Sequence, residues 1–422
     1  MRQAEGLLFN ILLQLVVMIA AARAGNQLSS RVGQPGVVGE IIAGLLLGPS
    51  LFGHFFPGTS VALFGATSPT PITIISQIGV VLLMFQIGAD FDFSLLKRPR
   101  NRNGAVVIAA VSTLVPWVLG FGIGQLSAPA LAPHTDSFIY SLFCGVSLVI
   151  MAVPVLGRIL REFDLTQTEI GVVAISVAAL SDVTGWVLLA GISAYASAAF
   201  SPRAVGMQIT GIIMLGAIAW FALRPLASWL LETMPVKRGD VGANTLAAIV
   251  CFIFLMAMCT YALGIFTMFG AFLSGLLFHG NRQFVDAWRV QIGRFVLVFF
   301  LPVFFTYTGL RTNVLGLVSA SDWAWVSVML LAAILGKVVP VYIASRGCGF
   351  VHRESTILGA LMNTRGLTEL IVLNIGYDLG FIPRKVFTML VIMAVATTVM
   401  TGPLLRALLP RAGYFRSQRV EA

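Results

Sequence analysis

Long apolar runs alternate along the chain with short polar connections. About 20 apolar residues cross a bilayer as a helix. On that rule the sequence predicts thirteen spans, near 7–24, 34–50, 72–91, 103–127, 137–159, 168–196, 204–230, 243–263, 265–280, 291–310, 323–346, 354–376 and 384–409. The second and ninth are short, and connections such as Lys97–Asn103 and Pro235–Asn244 are only loop-sized. The pattern is that of an all-α polytopic membrane protein, with residues 1–422 forming one transmembrane domain. Leu7–Ala22 also has the length of a signal-peptide core, but Met1–Gly6 contains Glu5 and a single Arg, which favours a retained first span.

Composition narrows the class. Of 422 residues, 58% are hydrophobic and 10% charged, against about 25% charged in a soluble domain. The net charge of +10 does not point to nucleic acid, because Lys and Arg form no stripe and fall between spans. Of the 27 Lys and Arg, only Arg2, Arg203, Arg311, Arg384 and Lys385 lie on one side of the thirteen-span arrangement. Lys337 and Arg365 lie inside spans, and the remaining 20 collect on the other side, among them Arg23, Arg31, Lys97, Arg98, Lys237, Arg238, Arg289, Arg353 and Arg416. By the positive-inside rule the N-terminus is outside and the C-terminus cytoplasmic. The cysteines (Cys144, Cys251, Cys259 and Cys348) are dispersed, with no CxxC, and imply neither a metal site nor a disulfide framework. No HExxH, GxSxG or Walker sequence is present, the histidines fall at or beyond span ends, and no cofactor is implied.

A faint repeat runs through the chain. Gly39-Glu-Ile-Ile-Ala-Gly-Leu-Leu-Leu-Gly-Pro49 echoes Gly270-Ala-Phe-Leu-Ser-Gly-Leu-Leu-Phe-His-Gly280, and Gln86-Ile-Gly-Ala-Asp90 echoes Tyr307-Thr-Gly-Leu-Arg311. Equivalent spans lie seven apart, an odd number, so the halves must be inverted in the membrane, with the seventh span as connector. Inverted repeats with helices broken near the midplane are a transporter signature.

Three ionisable residues near mid-span give the chemistry: Asp182, Lys337 and Arg365. A charge at the bilayer centre costs from about 3 to more than 10 kcal/mol, so these groups must face a protein interior or a watery cavity. An aspartate holds a proton or, once ionised, an alkali cation, and that exclusion is the minimal chemistry of an exchanger. Ser181 and Thr184 flank Asp182 and could add hydroxyl oxygens to a cation site. The plainer reading is a buried aspartate neutralised by a basic partner. Lys337 lies nine residues from Arg346, about 13 Å along a helix, too deep for easy snorkelling. It either neutralises Asp182, titrates itself, or serves as a helix-packing counter-charge.

Two spans look interrupted. Met362-Asn-Thr-Arg-Gly-Leu-Thr-Glu369 places Asn363, Thr364, Arg365 and Gly366 at a depth where irregular backbone is tolerated only beside a cavity. Its counterpart is Met151-Ala-Val-Pro-Val155, with Met151, Ala152, Val153 and Pro154 at the break. Two such helices would cross near Asp182 and offer opposite partial charges. A proline kink is the alternative for the first, and a simple i,i+4 pair on one helix face the alternative for Arg365 and Glu369. Glu40, a further acid within a span, caps or orients its short helix or contacts the ion. Asp90 and Asp92 read as interface anchors.

These segments resemble the monovalent cation:proton antiporter-2 family, which includes potassium-efflux antiporters and plant cation/proton exchangers. The resemblance runs over roughly residues 30–405. It rests on Gln34-Pro-Gly-Val-Val-Gly-Glu-Ile-Ile-Ala-Gly-Leu-Leu-Leu-Gly-Pro49, Ala152-Val-Pro-Val-Leu-Gly-Arg-Ile-Leu160, Leu180-Ser-Asp-Val-Thr-Gly-Trp186, Leu301-Pro-Val-Phe-Phe-Thr-Tyr-Thr-Gly-Leu-Arg-Thr312, Gly336-Lys337 and Met362-Asn-Thr-Arg-Gly-Leu-Thr-Glu369. It implies a core at about 103–196 and 323–409 sliding against dimerisation and scaffold helices at about 7–91 and 204–310. It also implies a homodimer and a cation/proton carboxylate at Asp182. Family members commonly carry Asp, Asn or Gln where Ser181 stands. A double aspartate there is associated with electrogenic exchange, so Ser181, which leaves Lys337 without that partner, favours one-for-one exchange. About a dozen residues follow Leu409, so no cytosolic nucleotide-binding domain is expected in this chain, which leaves room for a separate regulatory subunit.

The sequence thus predicts a secondary active antiporter, not an enzyme, that moves Na⁺ or K⁺ against H⁺ by alternating access within a lipid bilayer. The alternatives are a channel-like potassium efflux system and a non-transporting sensor on the same fold. An intramembrane aspartyl protease needs two facing aspartates, and only one deep aspartate is present.

Overall fold

The computed structural model describes residues 2–65, 70–90, 99–165, 168–197, 202–233, 240–263 and 266–410. Asp92, Lys97, Arg98, Lys237, Arg238 and Arg416 lie outside the described residues. Every element among the described residues is helical: α1 (Arg2–Arg31), α2 (Gly36–Leu46), α3 (Thr70–Ala89), α4 (Pro99–Leu131), α5 (Ser137–Val149), α6 (Val153–Glu162), α7 (Glu169–Ser197), α8 (Pro202–Ile218), α9 (Arg224–Thr233), α10 (Ala243–Ala262), α11 (Thr267–Phe278), α12 (Arg282–Trp288), α13 (Leu301–Arg311), α14 (Ala320–Gly347), α15 (His352–Met362), α16 (Leu367–Asp378) and α17 (Arg384–Leu408). Short helical turns fill Phe52–Gly65, and π-helical turns join α8 to α9 and α12 to α13. Among the described residues, nine helices are long and apolar enough to cross a membrane, and Gly36–Leu46, Ser137–Val149 and Thr267–Phe278 are shorter apolar helices. The chain is an all-α polytopic membrane protein.

Local chemistry sets several helix ends. Asp136 caps α5 by accepting from the amides of Phe138 and Ile139, both at 2.9 Å. Ser319 and Asp322 form a reciprocal capping box at the start of α14, satisfying two donors that a helix N-terminus otherwise leaves unpaired. The predicted spans at 137–159 and 354–376 are each broken. The first divides into α5 and α6 around Ile150–Ala152, the second into α15 and α16 around Asn363–Gly366.

By packing, the chain divides into two units. One comprises Met1–Ile19, Val61–Asp92 and Trp186–Tyr307. Its centre is aromatic: the Phe85 ring lies 4.6 Å from that of Trp288 and 5.7 Å from that of Phe278. Here α3 crosses α11 so closely that a Cβ on Gly275 would fall 2.1 Å from the Phe85 carbonyl oxygen. Asp90, expected as an anchor, pairs with Arg289 at 2.7 Å.

The other unit comprises Ala20–Ser60, Phe93–Gly185 and Thr308–Ala422. Segment 20–60, which the resemblance groups with the scaffold, is tied here by several contacts. A Cβ on Gly309 would fall 2.0 Å from the Gly44 carbonyl oxygen, and Gln34 Nε2 donates to the Val399 carbonyl at 3.3 Å. Gly44 and Gly309 hold the repeat positions of Gly275 and Gly88. In each unit, then, one close glycine approach joins two segments that the sequence pairs as echoes of those in the other unit.

Candidate functional site

The site is built inside the second unit, where α5 stops short. An α-helix leaves its last four carbonyls without intrahelical donors, and in the membrane no water is at hand to satisfy them. Each of the four on α5 has a partner. Val146 O accepts from the Ile150 amide at 3.2 Å. Ser147 O and Leu148 O accept from Arg365 Nη1 and Nη2, both at 2.8 Å. Val149 O accepts from Lys337 Nζ at 2.7 Å. The two basic residues inside spans are thus the caps of a broken helix, placed where the negative end of its dipole lies.

The break also releases backbone donors. The Ala152 amide reaches the Thr364 carbonyl at 3.5 Å, which joins the two interrupted helices at their breaks. The Met151 amide faces the Asp182 carboxylate, yet neither carboxylate oxygen makes a hydrogen bond of full geometry. Asp182 is 1% exposed. Lys337 is its electrostatic neighbour but bonds to the carbonyls of Ser112, at 2.8 Å, and Val149, so the two residues do not form a contact ion pair.

The second break carries its polarity on side chains. Asn363, Thr364, Arg365, Thr368 and Glu369 are all fully buried. Arg365 pairs with Glu369 at 3.1 Å. This is not a pair on one helix face: Arg365 precedes Gly366, the N-cap of α16, and Glu369 lies in the first turn, where a helix favours an acid. Gly366 has φ 129°, ψ −119°, backbone that residues with a side chain rarely adopt. Both amide atoms of Asn363, the hydroxyls of Thr364 and Thr368, and Glu369 Oε2 have no hydrogen-bond partner. The oxygens among them, like those of Asp182, are acceptors without protein donors, the type of hard ligand an alkali cation takes.

Not every residue singled out in the sequence gathers here. Pro154 does not kink a helix interior; it is the second residue of α6, where an amide would lack an intrahelical partner anyway. Thr184 is exposed and donates to the Leu180 carbonyl at 2.8 Å. It stands two residues from Asp182, about 200° around the helix, so it is not brought to the carboxylate. Ser181 is buried but turned towards α4, with its Oγ 3.2 Å from Ser112 Oγ and 3.4 Å from Thr113 Oγ1. Glu40 is held by Arg23 at 2.8 Å and Asn26 at 2.6 Å and so orients α2 against α1. Ser112 and Thr113 were not anticipated; their signal in the sequence is two adjacent hydroxyls in mid-span.

The profile of the family described as sodium/hydrogen exchanger, transmembrane, matches residues 15–411. The chain belongs to this exchanger family. It is 36% identical over 403 residues to the Na⁺/H⁺ antiporter NhaS4 of Synechocystis sp., covering 95% of this chain and 97% of that one. Over 402 residues it is 33% identical to Cation/H⁺ antiporter 18 of Arabidopsis thaliana. That match covers 94% of this chain and spans about half the plant protein's length, 48%. The sodium proton antiporter MjNhaP1 from Methanocaldococcus jannaschii shares the fold, with a TM-score of 0.63 at 14% identity over 96% of this exchanger and 99% of that chain. The match agrees with the resemblance carried by the motifs.

Proposed function

We propose that this exchanger binds a monovalent cation, Na⁺ or K⁺, and a proton in turn at Asp182 and works by alternating access. It is an integral multi-pass membrane protein, and the family and its named relatives support secondary active cation/proton antiport, not an enzymatic activity. The observation that carries the assignment is a fully buried carboxylate with no protein hydrogen-bond donor of full geometry, set at a break between helices. An ionised acid in that position is costly unless a cation or proton balances it. Each can do so, and each excludes the other.

Charge counting supports one-for-one exchange. Asp182 is the one acid assigned to the exchanged ions and has Ser181, not a second acid, beside it, so one cation or one proton adds the same single charge. Lys337 keeps its ammonium role as a helix cap throughout. The core at about 103–196 and 323–409 would carry Asp182 between the two faces against the remaining helices, in a homodimer with the N-terminus outside and the C-terminus cytoplasmic. The charge distribution of the loops supports that orientation.

The test is dissipation of a pH gradient in proteoliposomes on addition of Na⁺, K⁺, Li⁺ or choline. Cation-dependent proton release by the wild type, absent in Asp182→Asn, is the expected result. Equal exchange by the variant would remove Asp182 from the mechanism. Cation flux without proton coupling would favour the channel-like alternative.

A further inference from the structure

Lys337 is held by two carbonyls, and both are open because a helix is interrupted. Val149 O is free because α5 ends there. Ser112 O lies inside α4, where the amide four residues on would normally bond to it. That residue is Pro116, which has no amide hydrogen. The oxygen that Pro116 leaves open accepts from Lys337 Nζ at 2.8 Å. The approach of α14 has its own requirement: a Cβ on Gly336 would fall 2.9 Å from Leu119 Cδ1 and 3.7 Å from Pro116 Cα. The glycine before Lys337 thus lets α14 lie against the proline turn.

We propose that Pro116 is a positioning residue for exchange: by withholding an amide from Ser112 O it reserves that oxygen for Lys337 and so fixes the ammonium near Asp182. Three charged groups face Lys337, namely Asp182 from α7, Arg365 from the second break and Glu369 from α16. Of these, Asp182 alone is assigned to carry the exchanged ions, so the position of the ammonium governs how readily that carboxylate gives up its proton to make way for a cation. The inference rests on the function proposed for Asp182.

Pro116→Ala restores an amide that competes for Ser112 O. With the ammonium less firmly placed, the carboxylate should keep its proton to higher pH. The acid limb of the exchange profile is expected to move alkaline by about one pH unit, the scale of one hydrogen bond to a charged group. The control is Pro129→Ala, at the other proline inside α4. It restores an amide to Gln125 O rather than to Ser112 O, and its profile should overlie the wild type. An unshifted Pro116→Ala profile, or an equal shift in Pro129→Ala, would overturn the proposal. Should Pro116→Ala not yield monodisperse protein, Pro116→Ser restores the same amide and carries the same test. A wild type without cation-dependent proton flux would sink the proposed function instead, so the two failures are distinguishable.

Discussion

At the first break, Ile150–Ala152, every side chain is apolar, and the chain offers only backbone: terminal carbonyls of α5, and the amides of Met151 and Ala152. At the second, Asn363–Gly366, the side chains are polar or absent, and one of them, Arg365, reaches across to the first. Arg365 caps α5, and Glu369 balances Arg365 from the first turn of α16. The Thr364 carbonyl takes the Ala152 amide. Two interrupted helices of similar length are therefore not chemically equivalent. One exposes partial charges; the other supplies a full charge that satisfies two of them, Lys337 from α14 satisfies a third, and Asp182, on α7, has no protein donor of full geometry. An acceptor that the fold does not satisfy is one that an ion can.

The widest separation between the breaks should come from Arg365→Met. It uncaps Ser147 and Leu148 and strands Glu369, and removing one partner of a buried ion pair costs about 3 to 5 kcal/mol. Exchange should be lost and the thermal transition in detergent lowered. Adding Glu369→Gln should recover part of the stability, because the stranded charge is then gone. A single variant as stable as the wild type would show that the α5 carbonyls do not need Arg365. Next in size is Gly366→Ala. The Cβ would meet nothing nearer than 3.5 Å, so the effect is conformational, about 1 to 3 kcal/mol for a non-glycine residue held in that backbone region. Pro154→Ala, at the first break, should change stability by less than about 1 kcal/mol, since no helical hydrogen bond depends on it. Similar losses in both would mean that the breaks are equally strained.

The two breaks also differ in how far the sequence reveals them. The second break was plain because Asn363, Thr364 and Arg365 are conspicuous within an apolar run. The first shows in the sequence only through Pro154, yet the interruption lies just before it, in residues whose side chains give no sign of it. Lys337 was visible as an anomaly, but whether it faces a carboxylate or a carbonyl depends on where α5 ends and on what lies four residues after Ser112. Adjacency along the chain points to Thr184, but the 100° step of a helix undoes it. Ser112 and Thr113 give only a faint signal, because hydroxyls are common in membrane helices and can bond to their own backbone, as Ser112 Oγ does to the Ala109 carbonyl.

The finest contrast is between Met151 and Asn363, buried residues just past the ends of α5 and α15. Met151 acts through its amide, so Met151→Leu keeps the working group and nearly conserves volume, and exchange and stability should stay close to the wild type. Asn363 holds two buried polar atoms with no partner, a burial that costs about 1 kcal/mol or more in a protein interior. Asn363→Leu should therefore raise the thermal transition while lowering cation-dependent proton release. Opposite signs in stability and transport would mark Asn363 as kept for its chemistry at the expense of the fold. A variant that lost both would make it an ordinary structural residue, and one that kept full exchange would remove it from the site.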